Sequence, residues 1–338
     1  MATSGREPVD VALIYRRPAP VGGTSIPTAF DRVLTCFSDD PGFRLRKVEL
    51  RHPSQGVLPR LLAARQARNE AGAINHITGD VHFLALALPA KNTILTIHDL
   101  DFLHRSRGLR RWLLKKLWLD LPVSRCRLIT TVSQATRDDL LGTIPAAGGK
   151  TRVVHGLISA GFHRGPARLP CDPPVILHIG TKPNKNLRRH IEALKGIRCR
   201  LRIIGRPNAT DIRLLSQYAI DHDVQFGLPE TAMQQVYEQA DLLLFASTRE
   251  GFGMPIVEAQ TVGRPVVTSD LSSMPEIAGT GAHLVDPFDV ESIRNGVLKV
   301  LNDGQYRRQL VEKGFRNIMR FDPINIAEQW RTLYSQIR

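Results

Sequence analysis

The stretch from Asp241 to Pro265 constrains the fold more than any other. Leu242 to Ala246 is a continuous apolar run, which suits a strand covered on both faces, as in a parallel sheet with helices on either side. Ser247 to Met254 reads as a loop holding Gly251 and Gly253, and Pro255 suits the first position of a helix, where its missing N–H is not needed. Gly263 and Arg264-Pro265 end that helix, and Val266-Val267-Thr268 resumes as a strand. The product is a strand–loop–helix–strand unit in which a helix N-terminus opens at the carboxyl end of a strand. Its N–H groups and dipole favour an anion, and the two glycines let a ligand approach the backbone. Two carboxylates, Glu250 and Glu258, flank the turn. They fit as acceptors for hydroxyl groups, which a sugar or ribose supplies. In the alternative reading, Glu258 only complements the helix's positive end and Glu250 is solvated.

The same alternation of strands and helices runs through the chain. In the first half, Val9–Tyr15, Ala73–Thr78, Thr93–Ile97 and Leu128–Val132 read as strands, with a helix over about 27–37. Gly22-Gly23 lie in the first strand–helix turn, and His76, Asp80, His98-Asp99 and Ser133-Gln134 fall at strand ends, where open α/β sheets build their sites. Phe162 to Pro174 is rich in Pro, Gly and Arg without periodicity and reads as a linker. Val175–Ile179 and Leu201–Ile204 open a second series of strands. Lys182, Lys185, Arg188 and Arg189 crowd the start of the helix that follows. The dipole disfavours each there by ~0.3–1 kcal/mol unless an external phosphate sits among them. A final helix follows Phe321-Asp-Pro323.

The 338 residues fit two domains of ordinary size, and 42% apolar residues supply a core. No apolar run is long enough to span a bilayer, and residues 1–10 do not form a signal peptide. Cys36, Cys126, Cys171 and Cys199 are scattered, which points to reduced thiols in a cytoplasmic protein and away from a zinc site. His98-Asp99-Leu-Asp101-Phe-Leu-His104 has no partner cluster and reads as hydrogen-bonding groups rather than metal ligands. Gly149-Lys150-Thr151 resembles the end of a phosphate loop, but Ile144 stands where its first glycine would, which excludes an ATPase of that type.

Net charge is +14 and unevenly spread: residues 1–165 hold 24 Lys+Arg against 13 Asp+Glu, residues 166–338 hold 22 against 19. A basic first half suggests an anionic partner: lipid headgroups, a pyrophosphate carrier or nucleic acid. Residues 109–121 set Arg110, Arg111, Lys115 and Lys116 against Leu109, Trp112, Leu113, Leu117 and Leu121. That is either a helix lying on an anionic membrane surface or a packed helix with a solvated basic face.

Glu250-Gly-Phe-Gly-Met-Pro-Ile-Val-Glu258 resembles the E-x7-E pattern of the retaining GT-B glycosyltransferases of family 4. Gly180 through Lys185-Asn186-Leu187, Ile94 to Leu100, Thr131-Val-Ser133, Gly205, Gln239-Ala-Asp241 and Ser273-Met-Pro-Glu276 extend the likeness from about residue 9 onward, strongest over 175–290. The general likeness is to bacterial polysaccharide and O-antigen mannosyltransferases.

The resemblance implies an α/β, GT-B architecture with two Rossmann-like doubly wound domains facing a cleft. An acceptor domain would occupy 1–165 and a nucleotide-sugar domain 166–320, with 321–338 as a helix crossing back to the first. It implies Glu258 on the ribose hydroxyls, Glu250 at the donor sugar beside Gly251, Phe252, Gly253 and Met254, and Lys185 on the diphosphate. His98 would lie near the transferred sugar, and Gly23, Gly180, Gly205 and Arg206 would line the donor site. Relatives carry an arginine before the Lys-Asn pair, whereas this loop offers Lys182. No metal or cofactor is expected, because the nucleotide sugar is a substrate and fixed cations with a helix N-terminus can meet the departing diphosphate. The expected activity is retaining transfer of a hexose, mannose by preference, from a nucleotide sugar such as GDP-mannose to a lipid-linked or growing glycan of a cell-surface polysaccharide such as lipopolysaccharide. It would act in the cytoplasm or peripherally at the inner membrane face. The competing expectation is a nucleic-acid-directed binder or base-modifying transferase of the same fold, against which only 6% of residues are aromatic.

Overall fold

The computed structural model describes residues 7–17, 25–158 and 160–337. The chain forms two compact units, residues 1–157 with 322–338 and residues 158–321.

The first unit is built on a parallel sheet of β1 (Val9–Tyr15), β2 (Phe43–Glu49), β3 (Ile74–Ile77), β4 (Thr93–Ile97), β5 (Leu128–Thr131) and β6 (Thr151–Val153), in the order β2-β1-β3-β4-β5-β6. Alternation along β1 divides its side chains between two cores. Ala12 and Ile14 join Ala63, Ala67, Leu119, Val123 and Leu140 on one face. Val11, Leu13 and Tyr15 join Phe30 and Val33 of the helix Ser25–Cys36 on the other.

That second face is completed by the chain's last helix, Pro323–Ser335, which buries Ile326, Ala327, Trp330, Leu333 and Tyr334 there. Arg331 pins the helix through an ion pair to Asp40 at 2.6 Å. His76, fully buried on β3, packs its ring 4.6 Å from that of Trp330, with Tyr334 Oη at 2.9 Å from Nδ1 and Thr96 Oγ1 at 2.7 Å from Nε2. Both ring nitrogens are thereby satisfied in the neutral form, and burial pushes the imidazole pKa down to about 3.

The second unit repeats the plan with β7 (Val175–Ile179), β8 (Arg200–Ile204), β9 (Asp221–Gln225), β10 (Leu242–Phe245), β11 (Val266–Ser269) and β12 (His283–Val285), ordered β12-β11-β10-β7-β8-β9. Read from its own first strand, this is the doubly wound order 3-2-1-4-5-6, and the winding reverses between β7 and β10. Leu242 and Leu244 face one core with Ile176 and Leu201, while Leu243 and Phe245 face the other with Ile256 and Val262. The apolar run of β10 is thus buried on both sides.

The segment expected as a linker belongs to the second unit. Gly165 N–H donates to Val262 O, and Arg168 pairs with Asp241 at 2.6 Å. The unit boundary falls at 157/158, upstream of the Pro-, Gly- and Arg-rich stretch, because that stretch is bonded to the second unit, Arg168 to Asp241 and Pro166 O to Arg264.

The state of His76 sets an acid limit on the first unit. Its folded pKa lies below the ordinary 6.5, so the unfolded chain binds a proton that the folded one refuses. The associated stability is present above pH 6.5 and is lost as pH falls toward 3, at ~1.4 kcal/mol per pH unit. All three tryptophans, Trp112, Trp118 and Trp330, lie in this unit. Urea unfolding followed by tryptophan fluorescence between pH 7 and 4, as order-of-magnitude bounds, should show that slope in the parent and a shallower one in His76→Gln. Equal slopes would refute it.

Candidate functional site

β7 and β10 lie side by side at the point where the second sheet reverses its winding, so the loops leaving their carboxyl ends meet. The first loop carries Gly180 to Asn186 and the second carries Ser247 to Gly253. Lys185 Nζ donates to Glu250 Oε1 at 2.7 Å, and the two side chains are only 18% and 12% exposed. Asn184 Nδ2 lies 3.4 Å from the same carboxylate oxygen and donates to Arg249 O at 3.0 Å, while Thr248 N–H donates to Asn184 O at 2.8 Å. The ammonium also sits 4.7 Å from the centre of the Phe245 ring. Gly180 has φ +85, and a Cβ there would press to 3.0 Å from Lys185 Cγ, so glycine both makes the turn and leaves the lysine its channel.

The helix that follows the lysine begins from Asn186, which holds the left-handed conformation at φ 63. Its buried amide donates to Ala246 O at 3.0 Å and Pro287 O at 2.7 Å, and its Oδ1 accepts from Arg189. Of the four cations expected at this helix start, Lys185 is neutralised by Glu250 and Arg188 by Glu192. Arg189 is held by Asn186 and Lys182 is exposed. Beneath the loop, His178 Nε2–H donates to Gly180 O at 2.7 Å and His178 Nδ1 lies 2.9 Å from His190 Nδ1. Burial drives both imidazoles down, His178 to about 4, so a neutral pair supports the turn.

On the other side of the turn the helix Met254–Val262 starts from Gly253 at φ 107 with no side-chain cap, and Pro255 is its second residue. Phe252 is anchored edge-on against Phe321 at 5.5 Å. Ser273 donates to the carbonyls of Glu250 and Phe252, and Ser272 to that of Glu250, which fixes the glycine loop from behind. Glu258 Oε2 accepts from the buried Tyr237 hydroxyl at 2.6 Å. Burial, with the carboxylate adding to it, raises the phenol's pKa well above its usual value, so the proton stays on Tyr237 and orients Glu258.

Gly205 ends β8 with its N–H on Gln225 O, and Arg206 stacks 4.3 Å over the ring of Phe226. These two stand at the neighbouring strand end, where a Cβ on Gly205 would meet Thr181 of the lysine loop at 2.9 Å.

In the first unit His98 follows β4 and its Nε2–H donates to Thr78 O at 2.6 Å. Gly79, at φ +143, is required there, since a Cβ would come within 2.5 Å of the imidazole. Arg16, after β1, pairs with Asp80, after β3, at 2.6 Å. These groups with His82, Asp99 and Trp118 line a cavity of about 250 Å³. Gly23 lies outside the described residues. Among the described residues no group of three or more His, Cys, Asp or Glu side chains could hold a metal ion. Lys150 is no phosphate ligand of a nucleotide loop: its ammonium donates to Ser124 O and Cys126 O.

The sequence assigned no role to Asn184, Asn186, Tyr237, Ser272 or Ser273, although Asn186 and Ser273 fall in stretches that carry the resemblance. Asn184, Tyr237, Ser272 and Ser273 act on the carboxylates or backbone of Glu250, Phe252 and Glu258, and Asn186 acts on the carbonyls of Ala246 and Pro287. Asn186, directly before a helix start, carried a local signal, as an asparagine tolerant of left-handed backbone.

Two parallel sheets of Rossmann type, the second with its winding reversal between β7 and β10, give the α/β architecture of the GT-B fold. Glycosyl transferases group 1 is the family model that matches residues 161–317, and Glycosyltransferase Family 4 matches residues 11–160; the chain belongs to this family of glycosyltransferases. It is 26% identical to O-antigen chain mannosyltransferase B of Escherichia coli over 272 residues, 72% of this chain and 70% of that protein. It is 24% identical to O-antigen chain mannosyltransferase RfbU of Salmonella typhimurium over 223 residues, 62% of this chain and 61% of that protein. The fold is shared with sucrose-phosphate synthase from Thermosynechococcus elongatus, at a TM-score of 0.80 and 17% identity over 98% of this chain and 99% of that one.

Asn186 separates strain from bonding in a measurable way. Asn186→Ala loses two buried hydrogen bonds and leaves a Cβ in the left-handed region, so it should cost ~2–4 kcal/mol in thermal unfolding. Asn186→Gly loses only the bonds and should be milder by roughly 1 kcal/mol. Equal losses would show that φ is not the constraint.

Proposed function

We propose that this glycosyltransferase moves a hexose, with retention of configuration, from a nucleotide sugar to a lipid-linked or growing glycan in cell-surface polysaccharide synthesis. The hexose is mannose and the donor GDP-mannose, working from the cytoplasmic side without a resident metal or cofactor. The observation that carries the reading is the Lys185–Glu250 contact at 2.7 Å, set beside an uncapped helix N-terminus at the winding reversal. The names of the relatives, O-antigen mannosyltransferases, support mannose and a glycan acceptor over the nucleic-acid alternative.

In this reading Lys185 exchanges its carboxylate partner for the donor's diphosphate, and Glu250 turns to the sugar hydroxyls. Glu258, held by Tyr237, receives the ribose hydroxyls. Lys182 supplies the second phosphate cation from its exposed position in the same loop. As the bond between the anomeric carbon and the phosphate oxygen breaks, negative charge grows on that oxygen, where Lys185 and the first amides of the helix Met254–Val262 stabilise it. The acceptor hydroxyl bonds to the anomeric carbon on the same face and passes its proton to the departing phosphate oxygen. Configuration is kept without a covalent enzyme intermediate.

Thermal unfolding with GDP-, UDP- and ADP-sugars tests the donor. A ligand at 100 times its dissociation constant adds ~2.7 kcal/mol, so GDP-mannose should raise the melting temperature of the parent and not of Glu258→Ala. No shift with any donor would sink the reading, and a shift with UDP-sugars alone would replace guanine and mannose. Lys185→Ala should lower kcat by roughly 10²–10³ while product retains the donor's anomeric configuration by NMR. An inverted product would overturn the proposed stereochemistry.

A further inference from the structure

Among the described residues eighteen large apolar side chains are exposed, and half of them lie on two helical segments of the first unit. On the helix Val57–Asn69 only Ala63 and Ala67 are buried, while Val57, Leu58, Leu61 and Leu62 are 75, 66, 62 and 38% exposed. Helical spacing puts Arg65 and Arg68, both exposed, on the side those four share. The second segment, residues 108–125, passes through a π-helical stretch, Lys115–Asp120. It buries Leu119, Pro122 and Val123 but exposes Leu109, Trp112, Leu113, Leu117 and Leu121. Leu109 and Trp112 are 71 and 55% exposed, which an ordinary packed helix with a solvated basic face does not do.

The two segments adjoin. The Arg60 guanidinium lies 4.4 Å over the Trp118 ring, and Ser54, Leu114 and Trp118 line one cavity with His98 and Arg16. Charge follows the same map. Residues 51–69 and 105–125 together hold eleven Lys+Arg against the single acid Asp120, while the rest of residues 1–165 holds 13 against 12. Asp120 is itself taken by Lys115 at 2.6 Å and Lys116 at 3.0 Å. Nearly all the positive excess of the first half therefore sits among its exposed leucines.

We infer that these two helical segments form one docking face for an anionic lipid bilayer, with the leucines and Trp112 entering the headgroup–acyl boundary and the surrounding arginines meeting lipid phosphates. Apolar side chains ringed by cations match that surface and no neutral one. No described helix is long and apolar enough to cross a membrane, so the contact is with the surface. Resting on the proposed function, the face also says where the acceptor is met. A glycan carrier anchored in the same bilayer presents its headgroup beside the cavity that opens between the segments.

The test needs neither donor nor acceptor, so its failure is separable from failure of the transferase reading. Full-length protein is sedimented with vesicles of phosphatidylcholine alone and of phosphatidylcholine with phosphatidylglycerol. Binding should be at least ~tenfold tighter to the anionic vesicles and weaken as salt rises. Leu58→Ser with Leu61→Ser, and Leu113→Ser with Leu117→Ser, should each weaken binding ~tenfold or more at an unchanged melting temperature and unchanged donor-induced shift. Equal binding to both vesicle types, no binding, or serine variants that bind like the parent would overturn the inference. So would a concentration-dependent dimer, seen by sedimentation velocity, that the same variants abolish, since the face would then belong to a second copy of the chain.

Discussion

Two sheets buried on both faces impose the rest of this molecule. A strand such as β10, whose side chains all point into one core or the other, has no lateral surface on which to display chemistry. Polar function is driven to the strand ends, and within them to the one place where neighbouring crossover helices run to opposite sides and leave a crevice. Lys185, Asn184, Glu250 and the start of the helix Met254–Val262 all arise there from sequence neighbours of β7 and β10. The first sheet obeys the same rule, with Arg16 and Asp80 across the β1–β3 reversal and His98 on the next strand.

The site's charges are arranged so that each anion has a partner that fixes its direction. Glu250 is held by the Lys185 ammonium, and Glu258 by a phenol that burial keeps protonated. Below them a neutral histidine pair, a left-handed asparagine and two serines spend no charge at all. They hold the backbone carbonyls of Gly180, Ala246 and Glu250 in place.

Much of this was legible in the residues. The apolar run 242–246, the glycines and Pro255 disclosed the strand–loop–helix unit, and β1, β4 and β10 stand where their hydrophobic runs put them. What was not legible falls into two kinds. Edge strands such as β2, with its alternating arginines and lysine, and β9, Asp221–Gln225, lack an apolar run because one side meets water. Supporting residues such as Tyr237 lie far from the motif in sequence and act through burial, which no local pattern records. The linker reading failed for a related reason. Proline, glycine and arginine look unstructured until Asp241 and Val262 are seen to hold them.

The last helix, Pro323–Ser335, carries a consequence for how the protein is made. One wall of the first unit's core, Ile326, Trp330, Leu333 and Tyr334, is separated from the rest of that core by the whole second unit, residues 158–321. On the ribosome, residues 7–157 emerge with Val11, Leu13, Phe30 and His76 facing water, while the second unit has all of its core in one continuous stretch. Domains fold as units in the order their parts become available. Here the order of completion inverts the order of synthesis: the second unit closes first, and the N-terminal unit waits, uncovered, for the helix that follows it.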